Sequence, residues 1–240
     1  MTEETKKDDG RTVMLKRVPI SFTDSLHIAK PTVKDGVPKH TTNVLILPGS
    51  PNEAENKAKT LSAMRAACVA EFGEGKEDFF KRIAEDNPSR VAYRKGERFR
   101  NSETDEIYKG YEGAMVIAGA GPGGSKKPRR PKMFNRRRKA MDEINEANGK
   151  PFFTVNDIPE IFYSGVICDV KISWYGVSGK DHGGNGLFCS IEAIRSYEEG
   201  ERMAGGGTAT NADEFDEADD DDLDDTPAVG SKLAVDDDFG

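Results

Sequence analysis

The sequence predicts a mainly β fold in which five strands form the nucleus, a helical segment is inserted after the second strand, and an acidic tail follows. Three observations carry this. Runs at 11–22, 40–47, 111–118, 165–177 and 186–197 are rich in branched and aromatic residues, and the last two alternate apolar with polar side chains. Clear helical periodicity is confined to residues 51–85. Residues 205–240 hold 13 acidic side chains against one lysine, Lys232, and such a segment cannot bury enough apolar surface to fold.

Residues 1–10 are polar and read as a flexible N-terminus. In the run RTVMLKRVPISF (11–22), Val13, Met14, Leu15, Val18 and Ile20 are interrupted by Lys16, Arg17 and Pro19, which predicts a strand with an edge or bulge at the proline. A loop over 23–39 carries Lys30, Lys34 and Lys39, and NVLIL (43–47) is a short buried strand closed by Pro48 and Gly49. Ser50 as N-cap, Pro51 at the first helical position and Glu53 completing a capping box predict a helix start. Ala54, Ala58, Leu61, Met64, Cys68 and Phe72 then recur at helical spacing up to Gly73. A second helix, 77–85, presents Phe79, Phe80 and Ile83 before Asn87-Pro88 stops it. A strand fragment at 91–93 precedes a polar loop and the strand 111–118; residues 119–139 predict an exposed, mobile loop, and 140–148 a helical turn or two. The last two strands form a hairpin. Val166, Cys168, Val170, Ile172 and Trp174 point to the core and Asp169, Lys171, Ser173 and Tyr175 away from it; SGKDHGGNG turns the chain, and Leu187, Cys189, Ile191 and Ala193 return with period two.

Composition excludes several classes. No apolar run approaches the roughly 18 residues of a membrane helix, and the N-terminus lacks the apolar stretch of an export signal. Cys68, Cys168 and Cys189 lie far apart with no CxxC pair, which predicts a reducing, cytoplasmic setting. Three scattered histidines predict no zinc, and neither metal nor cofactor is expected. The net charge of -8 conceals a segregation: the tail from Gly205 carries -12, while the rest holds 34 Lys and Arg against 30 Asp and Glu. A basic body joined to a polyanion points to nucleic acid.

The run Gly119-Ala120-Gly121-Pro122-Gly123-Gly124 spells GxGxxG after a strand, but Pro128 and Pro131 follow where a dinucleotide site needs a helix. The basic block is the stronger signal. Lys126, Lys127, Arg129, Arg130, Lys132, Arg136, Arg137, Arg138 and Lys139 occur within one acid-free stretch that also holds Phe134. Cations that neutralise phosphates release counterions, and rings among them stack on bases. Arg94, Lys95, Arg98 and Arg100, together with Tyr111, and the pair Lys171 and Tyr175 on one strand face, repeat that mixture and are further candidate DNA contacts. The competing reading is a metal-dependent nuclease, since Asp169-Val170-Lys171 forms half of a D-x-K site, although no upstream carboxylate completes it. In the tail, Asp236, Asp237, Asp238 and Phe239 combine charge with one ring, a compact motif for docking basic pockets on partners.

These features resemble a tailed-phage family of single-stranded DNA-binding proteins, formerly a domain of unknown function, built on an OB-fold. The resemblance rests on the strand 111–118 leading to Arg130-Pro131, on Phe162-Tyr163-Ser164-Gly165 opening a long strand with Trp174-Tyr175, on the Gly-rich hairpin loop, the closing strand and the acidic tail. It implies a five-stranded OB-fold-like barrel over 11–204, with 51–85 as a helical insertion, 119–139 as a basic loop and 205–240 as a disordered tail. It further implies non-enzymatic, sequence-independent binding of single-stranded DNA in phage replication, recombination or repair, in the host cytoplasm. Homo-oligomers are compatible with it. In such folds the loops between strands one and two and strands four and five flank the groove. Here these are 23–39, with Lys30, Lys34, Lys39 and His40, and 178–185, with Lys180 and His182. The tail is expected to compete for that groove and to recruit replication or recombination proteins.

Overall fold

All five expected strands form, and their pairing closes a barrel. The computed structural model describes residues 9–32, 34–123, 127–179 and 183–203. The chain divides into two units, Met1–Gly207 and Thr208–Gly240, and only the first contains described residues. The expectations for Lys126, Lys180, His182 and the tail residues Asp236, Asp237, Asp238 and Phe239 lie outside them.

The strands are β1 (Thr12–Ser21), β2 (Thr41–Ile46), β3 (Tyr93–Lys95), β4 (Met115–Ala120), β5 (Lys132–Phe134), β6 (Ile144–Asn145), β7 (Lys150–Pro151), β8 (Ile167–Val177) and β9 (Gly186–Glu198). Antiparallel pairs β2–β4, β1–β2, β1–β8 and β8–β9 are completed by a short parallel seam between β4 and β9, Gly119 opposite Cys189 and Ala120 opposite Ser190. The result is the expected OB-fold-like barrel. β3 extends it beside β4, and β5 resumes the edge of β9 beyond the seam. The interior is filled by the inward members of each alternation, among them Leu15, Val44, Ile117, Val170, Trp174 and Ile191, all at most 1% exposed.

The glycine run serves this closure. A Cβ on Gly119 would lie 2.5 Å from Ile191 Cγ1, and one on Gly121 would lie 2.1 Å from the Arg129 carbonyl oxygen. Both positions are bare because backbone or core passes against them. The segment expected to be a mobile loop is therefore folded back on itself where it is described, with Arg129 N–H donating to the Pro122 carbonyl (2.9 Å) and Gly121 N–H to that of His40 (2.6 Å).

β1 carries a bulge, two residues before the expected proline. The register on β8 slips between Leu15 and Val18, and Arg17 takes a left-handed backbone with φ 49°. Two buried side chains satisfy the freed backbone groups. Asn56 accepts from Lys16 N–H (3.0 Å) and donates to the Lys16 carbonyl (2.9 Å), and Asp169 accepts from Arg17 N–H (3.1 Å). Beyond the bulge β1 resumes its pairing with β8, Val18 opposite Cys168 and Pro19 opposite Ile167, and its end also pairs with β2, Ile20 opposite Val44.

The two longer helices fall within the expected insertion, and two single-turn helices lie outside it. α1 (Asp24–His27) is a single turn in the first loop; α2 (Glu53–Phe72) packs on β1 and β8 through Thr60, Ala63, Met64, Ala67 and Cys68. Its start differs from the expected box. Asn52 is the N-cap, the Ser50 hydroxyl donates to the Leu47 carbonyl (2.9 Å), and Glu53 accepts from Gly49 N–H (2.7 Å). The turn before the helix thus consumes the groups that would have capped it. Gly73 ends α2 as expected, and α3 (Phe79–Asp86) buries Phe80 and Ile83. Residues 140–148 are not helical: β6 and β7 form a small hairpin there, followed by α4 (Ile158–Ile161).

Candidate nucleic-acid interface

The outside of the barrel offers two contrasting faces. On β2 and β4, Leu45 and Val116 are paired in register and point outward. The segment after β3 covers them. Tyr111 lies over both, with Phe99, Ile107 and Tyr108 packed around it. Tyr111 is 1% exposed and its hydroxyl accepts from Asn43 Nδ2 at 3.0 Å; burial pushes the phenol pKa up. The expectation that Tyr111 offers its ring to a base is corrected: outward-facing Leu45 and Val116 need a cover, and this ring supplies it. Arg94 stacks its guanidinium 4.6 Å above the Phe99 ring, and burial lowers its pKa. Arg100 donates to the carbonyls of Asp105 (2.6 Å) and Glu97 (3.2 Å). Both arginines are thereby engaged by their own loop, whereas Lys95 and Arg98 are exposed beside it.

The face of β1, β8, β9 and β5 stays open. Lys171 and Tyr175 lie exposed along β8 with Ser173 between them. Register places Met14 of β1 and Ala193 of β9 on either side of Lys171, and β5 adds Lys132 and Phe134 beyond β9. A hollow of about 540 Å³ is lined by Thr12, Met14, Lys132, Phe134, Lys171, Ser173, Glu192 and Ala193. A second, of about 270 Å³, shares Met14, Phe134, Lys171 and Ala193 with it and adds Lys16, Arg138, Asp169 and Arg195. Four expected contacts from two distant segments, Lys132, Phe134, Arg138 and Lys171, are thus brought together. At one end Tyr175, 40% exposed, has its ring centroid 6.0 Å from that of Phe188, over which Arg90 stacks at 5.0 Å.

Acids on this face are already engaged. The Glu192 carboxylate accepts from the Ser190 hydroxyl (2.7 Å). Asp169, 5% exposed, accepts from Arg17 N–H, Lys16 Nζ (3.4 Å) and Arg195 Nη2 (2.5 Å). The D-x-K half-site is therefore a structural carboxylate tied to three donors. Among the described residues, no group of three or more His, Cys, Asp or Glu could hold a metal ion. Nor is any described helix long and apolar enough to cross a membrane.

The basic loop connects this face to the first loop of the barrel. Arg130 donates to the carbonyls of Leu26 (2.7 Å) and His27 (2.8 Å), so its guanidinium, expected to meet DNA, clips 23–39 against the strand leading into β5. Within that loop Lys30 and Lys39 exchange backbone hydrogen bonds (3.1 and 2.9 Å), Lys30 pairs with Asp24 (3.2 Å), and Lys34 is exposed. His40 donates from Nδ1 to the Ser25 carbonyl (2.7 Å); burial, reinforced by the Arg130 charge, holds its pKa below the ordinary imidazole value. Beyond β5 a tight turn displays Arg136, Arg137 and Arg138. Asn135 Oδ1 accepts from Arg137 and Lys139 N–H (both 3.0 Å), and Arg138 adopts φ 64°. Lys127 and Arg129 are exposed on the same connection.

Sequence reasoning missed Met14, Lys16, Arg17, Arg195 and Tyr197 on this side of the barrel. In the linear sequence Lys16 and Arg17 only interrupt an apolar run, and Pro19, read as the mark of an edge or bulge, lies two residues past the bulge that turns them outward. Arg195 sits in an alternation that a second bulge, between Ile191 and Ala193, shifts by one residue.

A family model described as Enterobacter phage Enc34, ssDNA-binding protein, matches residues 11–225. Among solved structures, the single-stranded DNA-binding protein from bacteriophage Enc34 in complex with ssDNA is similar with a TM-score of 0.58 and 15% identity, over 81% of this chain and 90% of that one. A second structure of the bacteriophage Enc34 protein gives 0.55 and 18%, over 86% and 90%. At these identities the structural likeness shows the fold. No curated protein matches the sequence.

Proposed function

Since the chain belongs to the family of the Enterobacter phage Enc34 ssDNA-binding protein, we propose that it binds single-stranded DNA without regard to sequence and without catalysis, in phage replication, recombination or repair. The observation that carries the reading is the open β1–β8–β9–β5 face, where Lys132, Lys171 and Arg138 surround Phe134, Asp169 is paired with Lys16 and Arg195, and Glu192 accepts a hydrogen bond from the Ser190 hydroxyl. Cations there track phosphates, and Phe134 and Tyr175 stack bases, a mode indifferent to base identity. Lys127, Arg129, Arg136 and Arg137 prolong the track, and Lys30, Lys34 and Lys39 receive the strand where Arg130 clips their loop to it. Lys126 and Lys180 are assigned to the same path from the sequence. Lys95 and Arg98 lie beside the covered face and contribute at most long-range attraction.

The acidic tail competes for this track, and Asp236, Asp237, Asp238 and Phe239 dock replication or recombination proteins, which places the protein where phage DNA is copied, in the host cytoplasm. Salt-titrated fluorescence polarisation with dT, dA and duplex probes tests the reading. Full-length protein is expected to bind both single strands with affinity falling steeply in salt, and a chain lacking residues 205–240 to bind more tightly. Failure of the truncated chain to bind any single strand in dilute buffer would refute the function. Equal affinity with and without the tail would refute the competition alone.

A further inference from the structure

The end of the open face opposite Tyr175 contains an arrangement that a sheet surface does not need. Arg17 holds a left-handed backbone, φ 49°, uncommon for a residue with a side chain. It is kept there by Asp169, which accepts its N–H at 3.1 Å from a 5% exposed position. From that backbone the guanidinium reaches Tyr197: Nη2 donates to the phenol oxygen at 2.6 Å, and Cζ lies 4.7 Å from the ring centroid. Arg195 approaches the same ring, Cζ at 5.3 Å, while its Nη2 donates to Asp169 at 2.5 Å. Two guanidinium groups thus share one aromatic ring, and the Lys16 ammonium reaches the same carboxylate at 3.4 Å.

The charges there do not cancel. Asp169 pairs with two cationic side chains, Lys16 and Arg195, meets Arg17 only through its backbone N–H, and among the described residues no acid pairs with the guanidinium of Arg17. Cationic groups gathered on one ring with a single carboxylate among them repel, and an added anion relieves that repulsion. Guanidinium is a planar fork whose remaining N–H groups match the oxygens of a phosphate, and here its orientation is fixed in advance by a ring and a buried acid. Asp169, Lys16 and Arg195 line the same hollow as Phe134 and Lys171, so the arrangement continues the proposed track. From Tyr175 to Asp169 along β8 the track runs about 20 Å.

We propose that Arg17 and Arg195 form a phosphate clamp that grips one internal phosphodiester of the bound strand, with Tyr197 as their shared plate and Asp169 as the positioning residue beneath them. The clamp rests on the single-strand-binding reading and adds to it a fixed anchor at one end of the track.

The test uses the full-length protein and a dT oligonucleotide without terminal phosphates, so that a phosphate monoester contributes nothing, and reads affinity against salt. Arg17→Gln is expected to weaken binding about tenfold and to lower the salt slope by about 0.7, the share of one phosphate on a single strand. Arg17→Lys keeps the charge and loses the fork; its slope should remain while its affinity falls. Tyr197→Phe keeps ring and charge and should weaken binding by a smaller factor at unchanged slope. Thermal melting of each variant reads folding separately. A wild-type chain that binds, beside an Arg17→Gln variant with the same affinity and slope, overturns the clamp and leaves the function standing. Arg17→Lys equal to wild type overturns the fork. A folded wild type that binds no single strand removes both readings together.

Discussion

The two outer faces of this barrel are built from the same kind of strand and end in opposite states. On β2 and β4 the outward positions are Leu45 and Val116, and a whole segment with Tyr111 and Phe99 folds over them. On β8 the outward positions are Lys171, Ser173 and Tyr175, and nothing described covers the middle of that face. The lesson is that in a small barrel the outward half of each alternation decides where a ligand can lie. Apolar outward residues recruit their own chain, because leaving them wet forfeits roughly 25 cal/mol for each Å² that could be buried. Cationic and amphipathic ones keep a face available.

Four experiments break or sharpen that contrast. The largest effect belongs to the covered face. Tyr111→Ala should cost about 4 kcal/mol of stability, seen as a large drop in melting temperature, because it opens a cavity under the cover and leaves Asn43 without its partner. A small change in melting would mean that the cover is loose and the distinction between the faces wrong. Second, Lys132→Glu with Lys171→Glu should weaken dT binding about a hundredfold at moderate salt, whereas Lys95→Glu with Arg98→Glu should change it less than about threefold. Equal losses would move the binding track off the open face. Third, Tyr175→Ala should reduce affinity about fivefold while leaving stability within about 1 kcal/mol, as expected for one stacked base; calorimetric melting beside polarisation separates the two. The smallest effect concerns pH. His40 has a folded-state pKa below its unfolded value, so the unfolded chain takes up the proton first. Its contribution is complete above the unfolded value of about 6.5 and is lost as pH falls from there through the lower folded-state value. A His40→Gln chain should show a flatter decline of melting temperature between neutral and mildly acidic pH, and an unchanged decline would exclude this residue as its source.

Much of the fold was legible in the sequence. The hairpin of β8 and β9 could be read as far as Ile191 because burial on one side imposes period two, and Trp174 fell on the core side, where it is 1% exposed, whereas Ala193, expected in the core, lines the open face. What escaped were the places where an extra residue resets the alternation. The bulge at Lys16–Arg17 turns two cations outward, and the one between Ile191 and Ala193 carries Ile194 into the core and leaves Arg195 out. Bulges are decided by partners distant in sequence, here Asn56 and Asp169, so local pattern carries little trace of them. The candidate site was legible in its composition and less so in its assignments. Lys132, Phe134, Arg138 and Lys171 do converge, but Tyr111 and Arg130, which look alike to any count of rings and charges, are occupied by packing and by two carbonyls. Asp169, which invited a catalytic reading, has its oxygens taken by the bulge it supports.

Gly119 sits where the wall of the barrel meets itself, with Ile191 too near for even one more carbon atom. The girth of the cylinder is therefore fixed by an absence, and the pitch of β9 with it. Arg195 rides on that same strand four residues past Ile191, so a methyl group added at the join would press directly on the strand that carries the guanidinium.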